Sequence, residues 1–227
     1  MTFGSVFGRT FSPTFQPSSQ AVAAGGGTWW DLNGTITSCV AAYQPKGAAS
    51  YAASLVDLSG NSNDLTKNTD DPSWDSATGW SFTSKSDNLV TPTISMRTVI
   101  VLNRVDTIGS LDGLMNKADF DGENIRVEYS TGTPSSWYIP GNYGDFSSEV
   151  SSPAGFVNGE NSLTIITGNV WNTITSIRRA AINLSVWFGG GKVTARLWLG
   201  NIGAIAIYNA VLTQSQVQSL TTAMKAL

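Results

Sequence analysis

The sequence predicts an all-β protein, an antiparallel β-sandwich closed by a C-terminal helix. Three observations carry that expectation. From Trp29 onward, short runs of β-branched and aromatic residues alternate with Gly, Asn, Asp and Pro, the punctuation of strands and tight turns. Charged residues are 13% of the 227-residue chain, well below the roughly one quarter usual in soluble domains. The polar surface must then come from Ser, Thr, Asn and Gly, which suits a protein of many turns. Finally, one segment alone sustains helical spacing, and it lies at the end of the chain.

The first fifteen residues carry Phe3, Phe7, Phe11 and Phe15, one ring at every fourth position. Gly4, Gly8, Ser12, Pro13 and Pro17 oppose a helix. An even spacing also places side chains along one edge of an extended chain. Residues 21–27 are Ala and Gly with one Val, a flexible linker by composition. Residues 1–28 therefore read as an extended, Phe-rich anchoring arm with its linker, and residues 29–227 as the sandwich. Such an arm suits docking into another subunit, where burying four rings contributes about 6–12 kcal/mol before ordering costs. The alternative is an edge strand tied to its own domain.

Strands are expected at residues 39–44, 96–103, 124–130, 170–176, 184–189 and 195–208, the last split into two near Gly200-Asn201. Residues 124–130 alternate cleanly, with Ile125, Val127 and Tyr129 opposite Asn124, Arg126 and Glu128, the pattern of a half-buried antiparallel strand. Asp121-Gly122 just upstream is a hairpin signal. A helical turn is expected at residues 48–54, where Ala dominates. At the chain's end Thr213 and Gln216 form a capping box, and Val217, Leu220 and Met224 make one apolar stripe. Trp74, Trp80, Trp171 and Trp198 stand in strand-like contexts and read as core.

The net charge is -3 and the pI about 4.8. Arg178-Arg179 is the one adjacent basic pair, so no basic, aromatic-laced patch speaks for nucleic acid. Cys39 is the single cysteine; it allows no intrachain disulfide and reads as a small buried residue. The opening residues lack the charged and apolar regions of a secretory signal, and no apolar run is long enough to insert in a membrane. There is no histidine, which removes the usual general base and the commonest zinc ligand. Asp57, Asn61, Asn63 and Asp64 in one turn, and Asp119, Asp121 and Glu123 in another, offer oxygen ligands for calcium. Neither matches the helix-loop-helix calcium pattern, and such residues also cap tight turns. The reading is of turn chemistry, with no metal and no cofactor.

Two segments carry a resemblance. One is VDLSGNSNDLT at residues 56–66, followed by Trp74 and by GWSF at residues 79–82; the other is GNIGAIAIYN at residues 200–209, followed by Leu212-Thr213 and the helix. Together they resemble the laminin-G-like branch of the concanavalin A-like lectin/glucanase superfamily, over roughly Cys39 to Leu227. The resemblance implies a jelly-roll sandwich. Thr83-Ser84-Lys85 stands where that group often carries an Asp- or Asn-Gly turn, so no ligand or metal role is carried over to it. The opening VFGRTFSPTFQP, with AAYQPKGAAS at residues 41–50, is similar to tailed-bacteriophage structural proteins that bear such a domain. That implies a place on the virion surface, as a capsid decoration or head fibre, with phage capsid or tail proteins as partners. A homo-oligomer, a trimer among the options, is part of this expectation. A tail-associated or host-surface adhesin is the alternative.

Glucanases of the superfamily set acidic residues at alternate strand positions. Here the four glutamates, Glu123, Glu128, Glu149 and Glu160, include no pair two or four apart, so local spacing speaks against a paired-carboxylate hydrolase. The expectation is a non-enzymatic protein. Sugar recognition needs exposed rings beside polar groups; Trp137, Tyr138, Asn142 and Tyr143, in a Gly/Pro/Ser-rich loop, are the candidate glycan-binding residues. The other reading of that loop is one pinned by buried aromatics.

Overall fold

A computed structural model describes residues 28–67, 70–84, 86–105, 113–117, 127–130, 136–138, 155–160, 169–189 and 198–227. The arm residues Phe3, Phe7, Phe11 and Phe15 lie outside the described residues, as do the Asp119–Glu123 turn and residues 124–126 of the expected alternating strand.

Two antiparallel sheets form the sandwich. The seven-stranded sheet runs β10 (Gly155–Val157), β11 (Asn172–Leu184), β6 (Ile94–Val105), β13 (Gly200–Tyr208), β4 (Gly79–Phe82) and β3 (Ser73–Asp75), with β1 (Cys39–Tyr43) also paired to β13. The six-stranded sheet runs β2 (Thr66–Lys67), β5 (Asn88–Val90), β12 (Val186–Gly189), β7 (Gly113–Lys117), β8 (Val127–Ser130) and β9 (Ser136–Tyr138). Two helices complete the fold, α1 (Tyr51–Ser54) and α2 (Gln214–Lys225).

Between the sheets, Trp80, Met96, Val101, Ile205 and Ile207 meet Leu89, Met115, Val186 and Phe188 in one core. The outer face of the seven-stranded sheet carries a second core. There Ile100, Leu102, Ala204, Ala206 and Tyr208 lie under Val217, Leu220 and Met224 of α2. The segment before β1 adds Trp29 and Ile36 to this layer, held by Trp29 Nε1 donating to Gln44 Oε1 at 2.8 Å and Tyr208 Oη donating to the Trp30 carbonyl at 2.8 Å. The seven-stranded sheet is thus covered on both sides, and every residue of β13 is buried.

β13 solves a parity problem with one glycine. Ile202 pairs with Asn103 and Ala204 with Leu102, so Gly203 is an extra, bulged residue. Strict alternation would put residues 202 and 204 on one face. The bulge instead sends Ile202 inward with Ile205 and Ile207, and Ala204 outward with Ala206. Small alanines outside let α2 approach; isoleucines inside fill the space between sheets. Gly79 is a second special position. Its φ is +77°, and a Cβ there would lie 2.2 Å from the Ile202 carbonyl oxygen, so a side chain is excluded on both counts.

The helices follow their caps. Gln216 N donates to Thr213 Oγ1 at 3.2 Å and Thr213 N to Gln216 Oε1 at 2.9 Å, the expected capping box. α2 packs on β11 and β6, and Thr173 Oγ1 and Thr221 Oγ1 meet at 3.0 Å beneath it. Ser50 caps α1, accepting from Ala53 N at 3.1 Å. That one turn places Ser54 Oγ to accept the indole N–H of buried Trp80 at 2.7 Å, satisfying a donor that would otherwise be stranded in the core.

Several expectations need correction. Of the strand pair expected over 195–208, the second is β13, which begins at the Gly200-Asn201 break, while residues 195–197 lie outside the described residues; β6 approaches so closely there that a Cβ at Gly200 would lie 2.3 Å from the Arg104 carbonyl oxygen. β11 continues to Leu184, well past the expected end at residue 176, and β12 starts after it. Trp80 and Trp198 are fully buried, but Trp74 and Trp171 are only half-buried. Cys39 too is half-buried, at the first position of a strand.

Three titratable groups sit in this double-layered core. Burial, then the Asp57 carboxylate, pushes the Cys39 thiol from 9.0 up to about 12. Burial chiefly, again with Asp57, raises the Tyr43 phenol above its ordinary 10.0, and burial with Cys39 and Asp31 raises that of Tyr208. The unfolded chain releases these protons near their ordinary values, while the folded chain retains them. The folded state then binds more protons, so stability is intact below about pH 9 and falls as pH rises beyond it. Urea midpoints should drop steadily from about pH 9 to 11. Phenolate absorbance of the buried tyrosines should appear only together with loss of the far-ultraviolet dichroism.

Candidate functional site

The Asp57 turn resolves as structure. Asp57 Oδ1 accepts from Ala42 N and Ser59 N, both at 2.9 Å, and Oδ2 from Ser59 Oγ at 2.9 Å and Asn63 N at 3.0 Å. Asp64 Oδ1 accepts from Asp57 N at 2.8 Å. The Asn61 and Asn63 amides donate to the Cys39 and Val40 carbonyls at 3.2 and 2.8 Å. These oxygens are engaged with backbone, as the turn reading expects, and the turn buttons onto β1.

The candidate glycan residues fall differently from the expectation. Trp137 and Tyr138 are placed in strand β9 and not in a loop, pairing with Tyr129 and Glu128 of β8 at one end of the six-stranded sheet. Trp and Tyr favour strands, and the Gly, Pro and Ser around them concealed a three-residue element. Asn142 and Tyr143 lie outside the described residues.

A different constellation is assembled on the outer face of the seven-stranded sheet. Ser73 pairs with Ser81, Ser81 with Asn201, and Asn201 with Arg104, giving one polar row across β3, β4, β13 and β6. Trp171, just before β11, closes the row. The inward neighbours Trp80, Ile202 and Val105 belong to the inter-sheet core, so alternation puts Ser81, Asn201 and Arg104 outside. Arg104 Nη2 donates to Asn201 Oδ1 at 2.8 Å. Its guanidinium carbon lies 5.6 Å from the centre of the Trp171 ring, and Lys46 Nζ lies 5.3 Å from it. Both cations are within range of the ring's negative face potential, worth about 0.5–1 kcal/mol each.

Trp171 depends on the bulge. A Cβ on Gly203 would come within 3.0 Å of its Cζ3, so any side chain there would press the indole away from the strand by a few tenths of an ångström. Lys46 is held from several sides. Its N–H donates to the Gly203 carbonyl at 3.2 Å, Gln44 Nε2 donates to its carbonyl at 3.2 Å, Gly47 N donates to the Ser76 carbonyl at 2.6 Å, and Trp74 Nε1 donates to the Pro45 carbonyl at 2.9 Å. A half-buried ring, an ammonium, a guanidinium, an amide and hydroxyls therefore stand on rigid elements. The sequence reading assigned Trp171 to the core and singled out neither Lys46, Arg104 nor Asn201. The available signal was Asn201 and Arg104, polar residues flanking the apolar runs of β13 and β6.

No protein-family profile matches this chain, and no curated protein matches it in sequence. Solved structures do match in shape. Trypanosoma rangeli sialidase in complex with 2,3-difluorosialic acid aligns at TM-score 0.52 with 11% identity, over 83% of this chain and 33% of that one. The binding domain of Paraclostridial Mosquitocidal Protein 1 aligns at TM-score 0.51 with 14% identity, over 81% and 52%. Domain 4 of AbnA, a GH43 extracellular arabinanase from Geobacillus stearothermophilus, in complex with arabinotriose, aligns at 0.47 with 15% identity, over 81% and 98%. The chain spans only a third to a half of the sialidase and toxin chains it matches. The first two likenesses define the class of the fold, a jelly-roll β-sandwich.

Asp57→Ala should cost about 3 kcal/mol, because it strands four donors around β1. Chemical denaturation of the variant against the parent checks this. Ser59→Ala, which leaves the three backbone donors of Ala42, Asn63 and residue 59 itself bonded, should cost no more than about 1 kcal/mol.

Proposed function

We propose that this protein is a non-enzymatic, lectin-like binding module displayed on the surface of a tailed-phage particle. The observation that carries the binding half of this reading is the half-buried Trp171 in a row of fixed polar side chains. A sugar offers a C–H face to an indole and hydroxyls to its neighbours, and the partly exposed Trp171 with Ser81 and Ser73 supplies both, while buried Asn201 holds Arg104 beside them. Shape similarity to a toxin's binding domain supports the same direction. The β9 residues Trp137 and Tyr138, with Asn142 and Tyr143, stay a second candidate surface for a host glycan.

Display on a virion is the reading favoured by the opening and the AAYQPKGAAS segments. In it Phe3, Phe7, Phe11 and Phe15 insert into a capsid or tail protein or a sister subunit, and the sandwich projects outward. A tail or host-surface adhesin uses the same sandwich with a different mount. Either way, oligomerisation would multiply weak sugar contacts into useful avidity.

On a glycan array, the full chain should bind at least one glycan class, and Trp171→Ala should weaken that binding about tenfold. Loss on Trp137→Ala with Trp171→Ala unaffected would move the site to β9. Silence across the array would overturn glycan binding. Deleting residues 1–20 should abolish incorporation into particles while leaving the thermal unfolding of the sandwich unchanged; normal incorporation would overturn the anchor.

A further inference from the structure

We infer that the outer face of the six-stranded sheet holds a second saccharide site, built on Trp187 and Asn88 and taking neutral sugars. It goes beyond the reading above, since it uses no residue of the Trp171 row and lies on the opposite side of the sandwich. Leu65, Leu89, Val186 and Phe188 belong to the inter-sheet core, so alternation sends Thr66, Asn88, Val90 and Trp187 outward. Helix α2 covers the other sheet; here Trp187 and Val90 stay half-exposed and Thr66 exposed. Register sets them in one row, Thr66 against Val90 and Val90 against Trp187.

Asn88 pairs with Gly189, so it is the diagonal neighbour of Trp187, a spacing of about 7–8 Å in a sheet. It is 3% exposed; its Nδ2 donates to the Ser86 carbonyl at 3.0 Å, and its Oδ1 has no partner. A buried amide oxygen without a donor is unfavourable, and a hydroxyl of a sugar stacked on Trp187 supplies that donor. The ring takes the sugar's C–H face, and the Thr66 hydroxyl stands at the end of the row. The strand under the ring is fixed, with Val186 N donating to Thr91 Oγ1 at 2.9 Å and Thr91 N to the Val186 carbonyl at 3.0 Å. Charge selects the class of sugar. Asn88 N donates to the Asp70 carbonyl at 3.4 Å, and Asp70 is bridged to Asp87, so two carboxylates border the site. Lys67, beside Thr66, is engaged by Asp71 at 3.2 Å. An acidic sugar is repelled from such a rim, and a neutral one meets no opposition.

The test presents the full chain to an array of neutral, sialylated and sulfated glycans. Neutral glycans should bind, with Trp187→Ala lowering that binding about tenfold and Trp187→Phe retaining most of it. Asn88→Leu removes the unmet oxygen, so it should weaken binding about fivefold while the melting temperature holds or rises. An asparagine with only a structural role would give the reverse, a lower melting temperature and unchanged binding, and that result overturns its part in the site. A fall in both Trp187→Ala and Trp171→Ala reports two working sites. Neutral-glycan binding that falls in Trp171→Ala but not in Trp187→Ala overturns the second site and leaves the lectin reading standing. Binding confined to acidic glycans overturns the neutral site, and silence across the array overturns both readings.

Discussion

The structure depends on hiding both faces of one sheet. β13 is buried along its whole length, and it is bonded to β6 on one side and to β1 and β4 on the other. Sheets buried on one side tolerate a polar outer face, but this one must offer apolar residues in both directions and still match its neighbours. The Gly203 bulge makes that possible by resetting which side chains face the second sheet. Ile202, Ile205 and Ile207 then share one core, and Ala204 and Ala206 the other. Everything outside follows: the seat of α2, the strap of Trp29 and Ile36, and the place where the apolar cover gives way.

At that boundary the cover of the sheet changes character. Leu102 and Ala204 lie in the helix-covered core, and the next outward positions are Arg104 and Asn201. One row of side chains separates a sealed face from a polar one. Trp171 spans the two, packed partly on the outer core while standing next to Lys46 and Arg104. The same glycine that repairs strand parity gives the indole its resting place. A structural device and the proposed recognition surface are thus one feature.

The fold was largely legible because its signals are local. The capping box of Thr213 and Gln216, the stripe of Val217, Leu220 and Met224, and the apolar runs around residues 100 and 205 each announce their element. The Asp57 turn was legible as turn chemistry, since its carboxylate meets the nearby Ser59 and Asn63 donors; its bond to Ala42 of β1 was not. Legibility failed where long-range pairing decided the matter. The close approach of β6 that makes glycine necessary at position 200 is invisible along the chain. β11 ran long because β6 lies beside it to Ile94. The Trp171 row could not be read at all: its members come from five separate stretches, and neither Arg104 nor Asn201 has a sequence neighbour that hints at the other.

The pairing of Cys39 with Tyr208 ties nearly the first described strand to the last. During synthesis β1 must wait, its edge unpaired, until some 170 further residues have left the ribosome. The Asp57 button is local and can close much earlier, holding β1 in a ready shape through that interval. Chain order thereby makes a turn of no evident catalytic interest a guardian of the nascent protein against mispairing.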